Sequence, residues 1–584
     1  MTVTTVNFDP DKKRIEDIFE GSLQLVIPRY QRTYSWPKDK AEEFYSDFIE
    51  ESAKAEDNLA FLGTILFAIG DDGSLEVIDG QQRLITITLF LAALRDILGK
   101  SVGTADALIA ADHLQKKIKI TSTFGSSYAT SENNQYKLRV GLEIESIFKT
   151  MIYDQCPDTR AVRPKNAAEK KVFDAYTFFH KQLKDTLTRP GLHSDQQLKL
   201  ADRILSKINA IEYIDIRVTN KEVAYNLFES HNAKGVALAK TDLIKNYYFG
   251  RLTGSDTEKN KKMDEWDNLL NEFSDNTSNM LPDRFFYYML QSYEGNFPSN
   301  SLYRRIKPWM VNHQSFFTTL KKNIKLMVEL KNADTNDKEI NRILTALSEK
   351  MRVNQCFILL LCLYRNQEKL SPSIYKKIFQ LVEDFTYIYS GVTKSPGHAL
   401  EKVYSKNAKA LEDALREYGK DVSKIDKEKI TGRLLKELKT DMRELLPNYG
   451  VFLEAFGDLR YTSRTNKIII RYTFEKIELH HSKGAVLLGD AFTLDHIIPQ
   501  RKAKEGLYQS IGNLTPMSAA KNSAKGSSEA GRNDYLDISN FYSVKKLNEQ
   551  LTAEQSFNEE SITTRLNYLA RYAYYDAFSG VSSN

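Results

Sequence analysis

A short stretch near the carboxyl end of the sequence combines residue types that together can hydrolyse a phosphodiester. Asp495 and His496 are adjacent at the end of an apolar run, and Asn513 and Asn522 follow in "IGNLTP" and "KNSAKG". Hard divalent cations prefer oxygen ligands, which Asp495 and the amide oxygen of Asn522 can supply. Histidine titrates near neutral pH, so His496 can serve as general base, while Asn513 orients the histidine or braces the loop.

Two segments must fold correctly to bring these four residues together. The run "GAVLLGDAFTLDHIIPQ" predicts strand material that ends at Asp495 and His496. The run "TPMSAAKNSAK" has helical spacing, with Thr515 as a possible N-cap and Pro516 in the first turn. This outline returns Asn522 to the side of Asp495. In the alternative reading, the acid and the asparagine are capping or turn residues and His496 is a structural histidine.

A basic stripe precedes this centre. Arg464, Lys467 and Arg471 are spaced at i, i+3 and i+7, so a helix would present them on one face, where they could bind DNA phosphates. A solvated helix face is the alternative. Arg565 and Arg571 lie in a later amphipathic pattern whose apolar side would close the nuclease core.

A second group of candidate residues lies near the amino end. The segment "IPRYQRTYSW" is dense in groups that pair with phosphate or stack on a base, namely Arg29, Tyr30, Gln31, Arg32, Tyr34 and Trp36. The later run "VIDGQQRL" passes from a strand-like pattern into a helix-like one. We expect its central residues to form a helix N-terminus that favours an anion: Asp79, Gly80, Gln81, Gln82 and Arg83.

The chemistry of that turn follows from its residue types. Gly80 allows close approach of the backbone, Arg83 can pair with phosphate, and Asp79 can hold a cation or position a water. The alternative interprets Asp79 as an N-cap, Gly80 as a turn residue and Arg83 as a surface charge.

Bulk properties restrict the class of protein. The 584 residues suggest about three to four structural units. The net charge of +5 is small for this length, so a nucleic acid would be bound by local patches. Three cysteines without paired spacing argue against a disulfide framework or a structural zinc site and favour the cytoplasm. We expect no membrane role, because a signal-peptide pattern is absent and the longest apolar run is short.

Periodicity predicts an α+β, predominantly helical chain. Residues 61–69 and 75–78 read as a hairpin, residues 85–98 as a buried helix and residues 210–218 as a strand that can join the same sheet. The segment "NKEVAYNLFESHNAKG" predicts a helix that ends near Gly235.

Three domains are expected from these patterns. Residues 1–250 form an α/β domain, residues 251–445 a helical connecting domain, and residues 446–584 the domain that carries Asp495 and His496.

The motifs at both ends resemble one group of restriction proteins. "DHIIPQ…IGNLTPMSAAKNSAKG" resembles the ββα-metal (HNH, or His-Me finger) motif, with Asp495 in place of the family's first histidine and Asn522 in place of its last. "IPRYQRTYSW", "FLGTILF…VIDGQQRL" and "LFESHNAKGVALAKTDLIKNYYF" are similar to the ParB-like N-terminal domain of the GmrSD group, in which an HNH domain follows. The resemblance covers residues of about 20–100, 220–250 and 460–575.

This resemblance implies a modification-dependent (type IV-like) DNA endonuclease for defence against phage. ATP or GTP would bind, or be hydrolysed, at the ParB-like site and would gate an HNH centre that uses Mg²⁺ or Mn²⁺ on double-stranded, modified DNA. Further members of the nucleotide pocket would be Phe228, Glu229, Asn232, Gly235, Asp242 and Lys245. The group often has Leu where this chain has His231, which receives no role. A homodimer is reasonable, since one HNH site cuts one strand.

Two other functions stay open on the sequence. The chain could be a nucleotide-switched DNA-binding module that keeps an inactive HNH fold as structure. The ParB-like site could instead be the nuclease, in which case changes at Asp79, and not at His496, would abolish cleavage. Glucosylated hydroxymethylcytosine, hydroxymethylcytosine, methylcytosine and backbone phosphorothioate are all compatible with the basic aromatic segment.

Overall fold

The computed structural model describes most of the chain, and its residues form two compact units, Met1–Met263 and Asp264–Asn584. The described residues are 10–21, 23–50, 60–70, 73–119, 136–153, 158–219, 223–224, 227, 239–252, 255–277, 280–312, 316–418, 422–482, 492–499, 506–518, 541–553 and 557–582. Helices dominate both units and the strands form two small sheets, which confirms the α+β, predominantly helical expectation.

The first unit is organised around a mixed sheet. Its strands are β1 (Asp11–Arg14), β2 (Leu25–Val26), β3 (Phe61–Ile69), β4 (Leu75–Asp79), β5 (Leu138–Arg139) and β6 (Glu212–Val218), in the order β1-β6-β3-β4-β2-β5. β3 and β4 pair antiparallel, and β6 lies parallel to β3. The predicted hairpin is therefore confirmed, and so is the strand that joins its sheet.

One buried helix forms the centre of this unit. The helices are α1 (Ile15–Glu20), α2 (Lys38–Tyr45), α3 (Gln81–Ile97), α4 (Ala105–Ile118), α5 (Leu142–Phe148), α6 (Ala167–Leu187), α7 (Ser194–Ala210) and α8 (Lys240–Gly250). Nearly every residue of α3 is buried, as its apolar composition on all faces predicts. Phe90 of α3 meets Phe179 of α6 edge-on, with 5.5 Å between the ring centroids.

The second unit is a helical array that ends in a strand pair. Its helices are α9 (Asp256–Asn276, which crosses the unit boundary), α10 (Pro282–Glu294), α11 (Leu302–Asn312), α12 (Phe316–Lys331), α13 (Lys338–Thr345), α14 (Phe357–Arg365), α15 (Pro372–Thr386), α16 (His398–Tyr418), α17 (Lys424–Leu445), α18 (Tyr449–Gly457), α19 (Arg464–His481), α20 (Tyr542–Ala553) and α21 (Glu559–Tyr572). The antiparallel strands are β7 (Phe492–His496) and β8 (Leu514–Ser518).

A single core in this unit joins the helical array to the strand pair. Tyr387, which follows α15, stacks on Phe578 with 3.5 Å between ring centroids. The same hydrophobic cluster contains Phe492 of β7 and Leu514 of β8. The strand pair therefore packs on helices that lie more than a hundred residues earlier in the chain.

A buried charge network fixes α19 against α15. Lys476 lies 2.5 Å from Glu383 and 3.0 Å from Asp384, and Arg342 of α13 lies 2.8 Å from Glu383. Burial alone would raise the pKa of Glu383, but Lys476 and Arg342 outweigh it and lower that pKa to about 2. Burial raises the pKa of Asp384, whose Oδ2 accepts a hydrogen bond from the Gly580 amide at 3.1 Å.

The structure corrects the prediction for the segment after Asn513. Residues Leu514–Ser518 form β8, so the expectation of Thr515 as a helix N-cap with Pro516 in the first helical turn is wrong. β8 is covered on both faces, because Leu514 packs in the main core while Met517 packs against α20. A strand that is buried on both faces lacks the alternating pattern that would have identified it.

Several predicted positions lie outside the described residues. They are Phe228, Glu229, His231, Asn232 and Gly235, most of the helix predicted around them, and Asn522. Across the described ranges, none of the helices combines the length and apolarity needed to span a bilayer.

Candidate functional site

The acid and histidine of the carboxyl-terminal motif lie at the end of β7. In the register with β8, Asp495 pairs with Thr515 and His496 pairs with Leu514. Asp495 is 9% exposed and His496 is half-buried. The Oγ1 atom of Thr515, opposite the acid, is buried and has no hydrogen-bond partner within the described ranges. The strand end therefore presents a carboxylate and an imidazole from neighbouring positions.

Asn513 closes the loop between the two strands. Its Oδ1 accepts a hydrogen bond from the Ile498 amide at 2.9 Å, and its Nδ2 donates to the carbonyls of Ile498 at 3.0 Å and Tyr508 at 2.8 Å. Its own carbonyl accepts from the Ile497 amide at 2.9 Å. The side chain is fully buried. Of the two roles expected for this asparagine, the geometry is that of a loop brace.

The basic stripe on α19 divides into two parts. Arg464 and Lys467 are exposed in the first turn, which begins at the capping residue Ser463. The guanidinium of Arg471 lies over the Phe492 ring at 4.3 Å and donates to the Phe492 carbonyl at 2.7 Å. Arg471 is therefore bound to the first residue of β7 and helps to hold that strand.

Arg565 on α21 is also used inside the fold. It is 3% exposed, and its guanidinium donates to the carbonyls of Leu514 at 3.2 Å and Ser543 at 3.4 Å. Arg571 is exposed. The apolar side of α21 packs in the same core as the strand pair, as the amphipathic pattern predicted.

In the first unit, the run from Asp79 to Arg83 forms the N-terminus of α3. Gly80 is the N-cap, with a φ of +94°, and a Cβ there would lie 3.0 Å from the Ile65 side chain. Asp79 Oδ1 accepts from the Gly80 amide at 2.8 Å, and no side chain of the described part caps the helix. The first amides of α3 are therefore available to an anion.

Arg83 is held in a fixed position beside this turn. Its guanidinium donates to the Leu62 carbonyl at 3.0 Å and lies 3.4 Å from Asp79 Oδ2. Gly63, at a φ of +96°, leaves room for it, since a Cβ there would lie 2.7 Å from Arg83 Nη1. Burial lowers the pKa of Arg83, and Asp79 partly offsets this effect.

The aromatic and basic segment lies along the first turns of α3. Gln82 Oε1 accepts from the Ser35 amide at 2.8 Å, and its Nε2 donates to the Thr33 carbonyl at 3.1 Å. The hydroxyls of Tyr34 and Thr86 are 3.0 Å apart. Gln31 reaches back to the Ile78 carbonyl at 3.4 Å, immediately before Asp79. The two sequence motifs therefore form one site.

This site contains buried polar atoms that lack partners. Within the described residues, no hydrogen-bond partner is present for Gln31 Oε1, Arg32 Nε or Gln81 Oε1, and Gln31 is only 5% exposed. Each buried orphan costs about 1–3 kcal/mol.

The third motif packs on the face of the sheet opposite the one that α3 covers. Tyr30, Leu227 and Leu243 pack on one small cluster that contains Ile78, the residue before Asp79. Leu243 belongs to α8, which also carries Asp242 and Lys245, and both of these are half-buried. Arg29 is half-buried near Gly141.

Sequence reasoning missed one polar residue on α8. Asn246 lies three positions after Leu243, hence on a similar helix face, and is 5% exposed. Its Oδ1 has no hydrogen-bond partner in the described part of the chain. The sequence signal for this residue was a polar side chain placed directly before the apolar run Tyr247–Phe249.

Comparison with known families accounts for both ends of the chain. Residues 15–249 match the model of the GmrSD restriction endonuclease N-terminal domain, and residues 446–572 match that of the C-terminal domain of GmrSD restriction endonucleases. The chain belongs to the GmrSD restriction endonuclease family. This membership makes the protein a restriction endonuclease, an enzyme that acts on DNA. A comparison with curated proteins found no match.

Proposed function

We propose that the C-terminal domain of this GmrSD-family protein is an HNH nuclease in which Asp495 and His496 act at the end of β7. The observation that carries the proposal is the brace formed by Asn513, which ties the loop after β7 to the turn before β8. Such a brace fixes the acid and the histidine before substrate binds, and preorganisation of this kind lowers the barrier to reaction.

The residues at the strand end fit a Mg²⁺ or Mn²⁺ ion. Asp495 offers a carboxylate beside the unpartnered hydroxyl of Thr515, and Asn522 is the second proposed ligand. In the described ranges, no three His, Cys, Asp or Glu side chains cluster as a metal site. Amide, water and phosphate oxygens are proposed to complete the coordination. When bound, the ion supplies charge stabilisation for the leaving oxygen. His496 accepts the proton of the attacking water.

The N-terminal domain is proposed to bind ATP or GTP at the N-terminus of α3. The support is the contact of the segment around Tyr34 with the first turns of α3, together with the unpartnered polar atoms of Gln31, Arg32 and Gln81. The free amides of α3 receive phosphate oxygens, and Arg83 stabilises Asp79 beside them. Lys245 and Asn232 are proposed to complete this pocket. Hydrolysis of the nucleotide is part of the proposal.

Gating by nucleotide explains why such a nuclease is tolerated by its host. An ungated DNA endonuclease would destroy the host genome, whereas a binding event at a second site can license cleavage through a coupling free energy. The proposed substrate is double-stranded, modified phage DNA. A homodimer would supply the second cut. Cys356 and Cys362 are free thiols, which fits the proposed cytoplasmic location.

The test compares cleavage of matched phage DNAs, unmodified and glucosyl-hydroxymethylated, with Mg²⁺ or Mn²⁺ and with or without ATP or GTP. Wild type is expected to cut the modified DNA, and His496→Ala is expected to lose cutting while its DNA binding and melting temperature stay unchanged. His113→Ala, an exposed histidine on α4, is the matched control. Full cutting by His496→Ala would refute the HNH assignment. A folded wild type that binds nucleotide and DNA but cuts no modified DNA would favour the binding-module function.

A further inference from the structure

The strand pair has a third backbone neighbour in the segment that leads into α19. Arg460 forms an isolated antiparallel bridge with Ser510, and the Tyr461 amide donates to the Gln509 carbonyl at 2.8 Å. These bonds attach the segment to the turn that Asn513 closes. The position of Tyr461 is therefore fixed by the same loop that fixes the catalytic strand.

The side chain of Tyr461 contacts the proposed general base. Its ring lies nearly perpendicular to the His496 imidazole, at 73°, with 5.6 Å between the ring centroids. This edge-to-face geometry is attractive between aromatic rings and contributes about 0.5–1.5 kcal/mol beyond burial. The contact restricts the rotation of the imidazole at the strand end.

A positive charge completes the arrangement. The Lys467 ammonium lies 4.9 Å from the centroid of the Tyr461 ring, and Lys467 is exposed. The Lys467 amide donates to the Ser463 carbonyl at 3.0 Å in the first turn of α19. His496, Tyr461 and Lys467 therefore form a continuous row from the strand end to the surface.

Asn513 leaves the orientation of the imidazole to other groups. Both hydrogens of its Nδ2 and its Oδ1 are used on the backbone of Ile498 and Tyr508. We propose that Tyr461 is the positioning residue that holds the His496 imidazole towards the DNA strand, and that Lys467 binds the DNA backbone beside the point of cleavage. This inference rests on the proposed nuclease function and adds a residue that no motif contains.

The two residues have separable kinetic effects. A misplaced base slows the chemical step, so Tyr461→Leu is expected to lower kcat roughly 10-fold to 100-fold with little change in KM. Tyr461→Met, which keeps apolar volume without a ring, is expected to do the same, and Tyr461→Phe retains most of kcat. Lys467→Ala is expected to raise KM and to reduce the salt dependence of DNA binding by about one charge. Tyr418→Leu, an exposed tyrosine on α16, is the control.

A spectroscopic measurement separates positioning from general stability. The protein contains nine histidines, so in protein carrying ring-¹³C histidine the His496 signal is the one lost in His496→Gln. Its ring proton shifts are expected to move in Tyr461→Leu and Tyr461→Met, through loss of the tyrosine ring current, and to stay near the wild-type values in Tyr461→Phe.

The outcomes distinguish this inference from the nuclease assignment. If His496→Gln cuts DNA like wild type, the nuclease assignment fails. If His496→Gln is inactive while Tyr461→Leu and Tyr461→Met keep the wild-type kcat or the wild-type His496 signal, the positioning role alone is overturned. Reduced kcat in the Leu and Met variants with recovery in Tyr461→Phe, together with the shifted signal, establishes the role.

Discussion

The two candidate sites of this protein differ in whether their buried side-chain amides have hydrogen-bond partners. At the strand end of the second unit, Asn513 uses both hydrogens of its amide nitrogen, and its oxygen, on the protein backbone. At the N-terminus of α3 in the first unit, the side-chain oxygens of Gln31 and Gln81 lack a partner within the described ranges. The buried amide of the proposed nuclease site is therefore held by the protein itself, whereas the proposed nucleotide site keeps side-chain oxygens that a ligand would have to satisfy. This difference is the one expected of the proposed arrangement, in which a nucleotide site controls a separate, rigid catalytic centre.

The largest expected effect comes from the buried charge network that joins α19 to α15 in the second unit. Lys476→Met removes the buried cation that lies beside both Glu383 and Asp384 and leaves Arg342, which is partly exposed, beside Glu383. Removal of one partner from a buried network costs about 3–5 kcal/mol. The melting temperature at pH 7 should fall sharply. Lys406→Met, whose pair with Asp441 is largely exposed on the lysine side, is the control and should change stability by about 0–1 kcal/mol.

The pH dependence of that variant gives a further check. Asp384 has a raised pKa, so its charge opposes folding above that pKa, and the opposition disappears as pH falls through it. The deficit of Lys476→Met relative to wild type should therefore shrink as pH is lowered from neutrality. Glu383 changes the deficit in the same direction, because the stability that wild type gains from its lowered pKa is present above its unfolded-state pKa and is lost as pH falls towards about 2. A deficit that grows on mild acidification would contradict the network.

The next largest effect tests the hydrogen bonds that Asn513 makes between β7 and β8. Asn513→Ala removes three side-chain hydrogen bonds from a fully buried position, so DNA cleavage should fall roughly 100-fold and stability by about 2–4 kcal/mol. Nucleotide binding to the first unit should persist. Asn466→Ala on α19 is the matched control. Wild-type cleavage by a folded Asn513→Ala protein would show that the brace is unnecessary.

Alanine substitutions at Gly80 and Gly191 test the proposed nucleotide site at the N-terminus of α3. Ala at position 80 must adopt a left-handed conformation and displace Ile65, whereas a methyl group added at Gly191, which has a φ of +90°, would meet no atom within 4 Å among the described residues. Both changes should cost about 1–2 kcal/mol through backbone strain. Gly80→Ala should cost about 1 kcal/mol more and weaken nucleotide binding at least tenfold. Calorimetric titration and melting curves measure both, and equal nucleotide affinity in the two variants would exclude the α3 site.

The smallest expected effect is a difference in stability between leucine substitutions at two glutamines, Gln31 and Gln82. Gln31→Leu removes an unpartnered buried oxygen together with one long hydrogen bond, of 3.4 Å, from Nε2 to the Ile78 carbonyl, so the stability of the ligand-free protein should change by less than about 1 kcal/mol while the stabilisation by ATP or GTP shrinks. Gln82→Leu removes two made hydrogen bonds and should lower the stability of the ligand-free protein by about 1–2 kcal/mol. Thermal melting with and without nucleotide reads both. Equal changes of melting temperature in the two variants, with and without nucleotide, would contradict the proposed difference between a hydrogen-bonded and an unpartnered glutamine side chain.

The sequence was informative where periodicity and turn residues act locally. The hairpin of β3 and β4, the buried α3 and the strand end at His496 follow from patterns that a few neighbouring residues determine. β8 was missed because burial on both faces hides its period. Arg471 and Arg565 donate hydrogen bonds to backbone carbonyls that are distant in the sequence. The contact of Tyr461 with His496 also joins residues that are distant in the sequence. Such partners are set by tertiary packing, which spacing within one segment does not encode.

The most direct test of a nuclease gated by a nucleotide is cleavage of modified phage DNA by three proteins, with and without ATP or GTP. Wild type should cut only with nucleotide. His496→Ala should bind nucleotide normally and cut nothing, and Asp79→Asn should lose both nucleotide binding and cutting. Cutting by His496→Ala that Asp79→Asn abolishes would contradict the account and place the nuclease in the first unit.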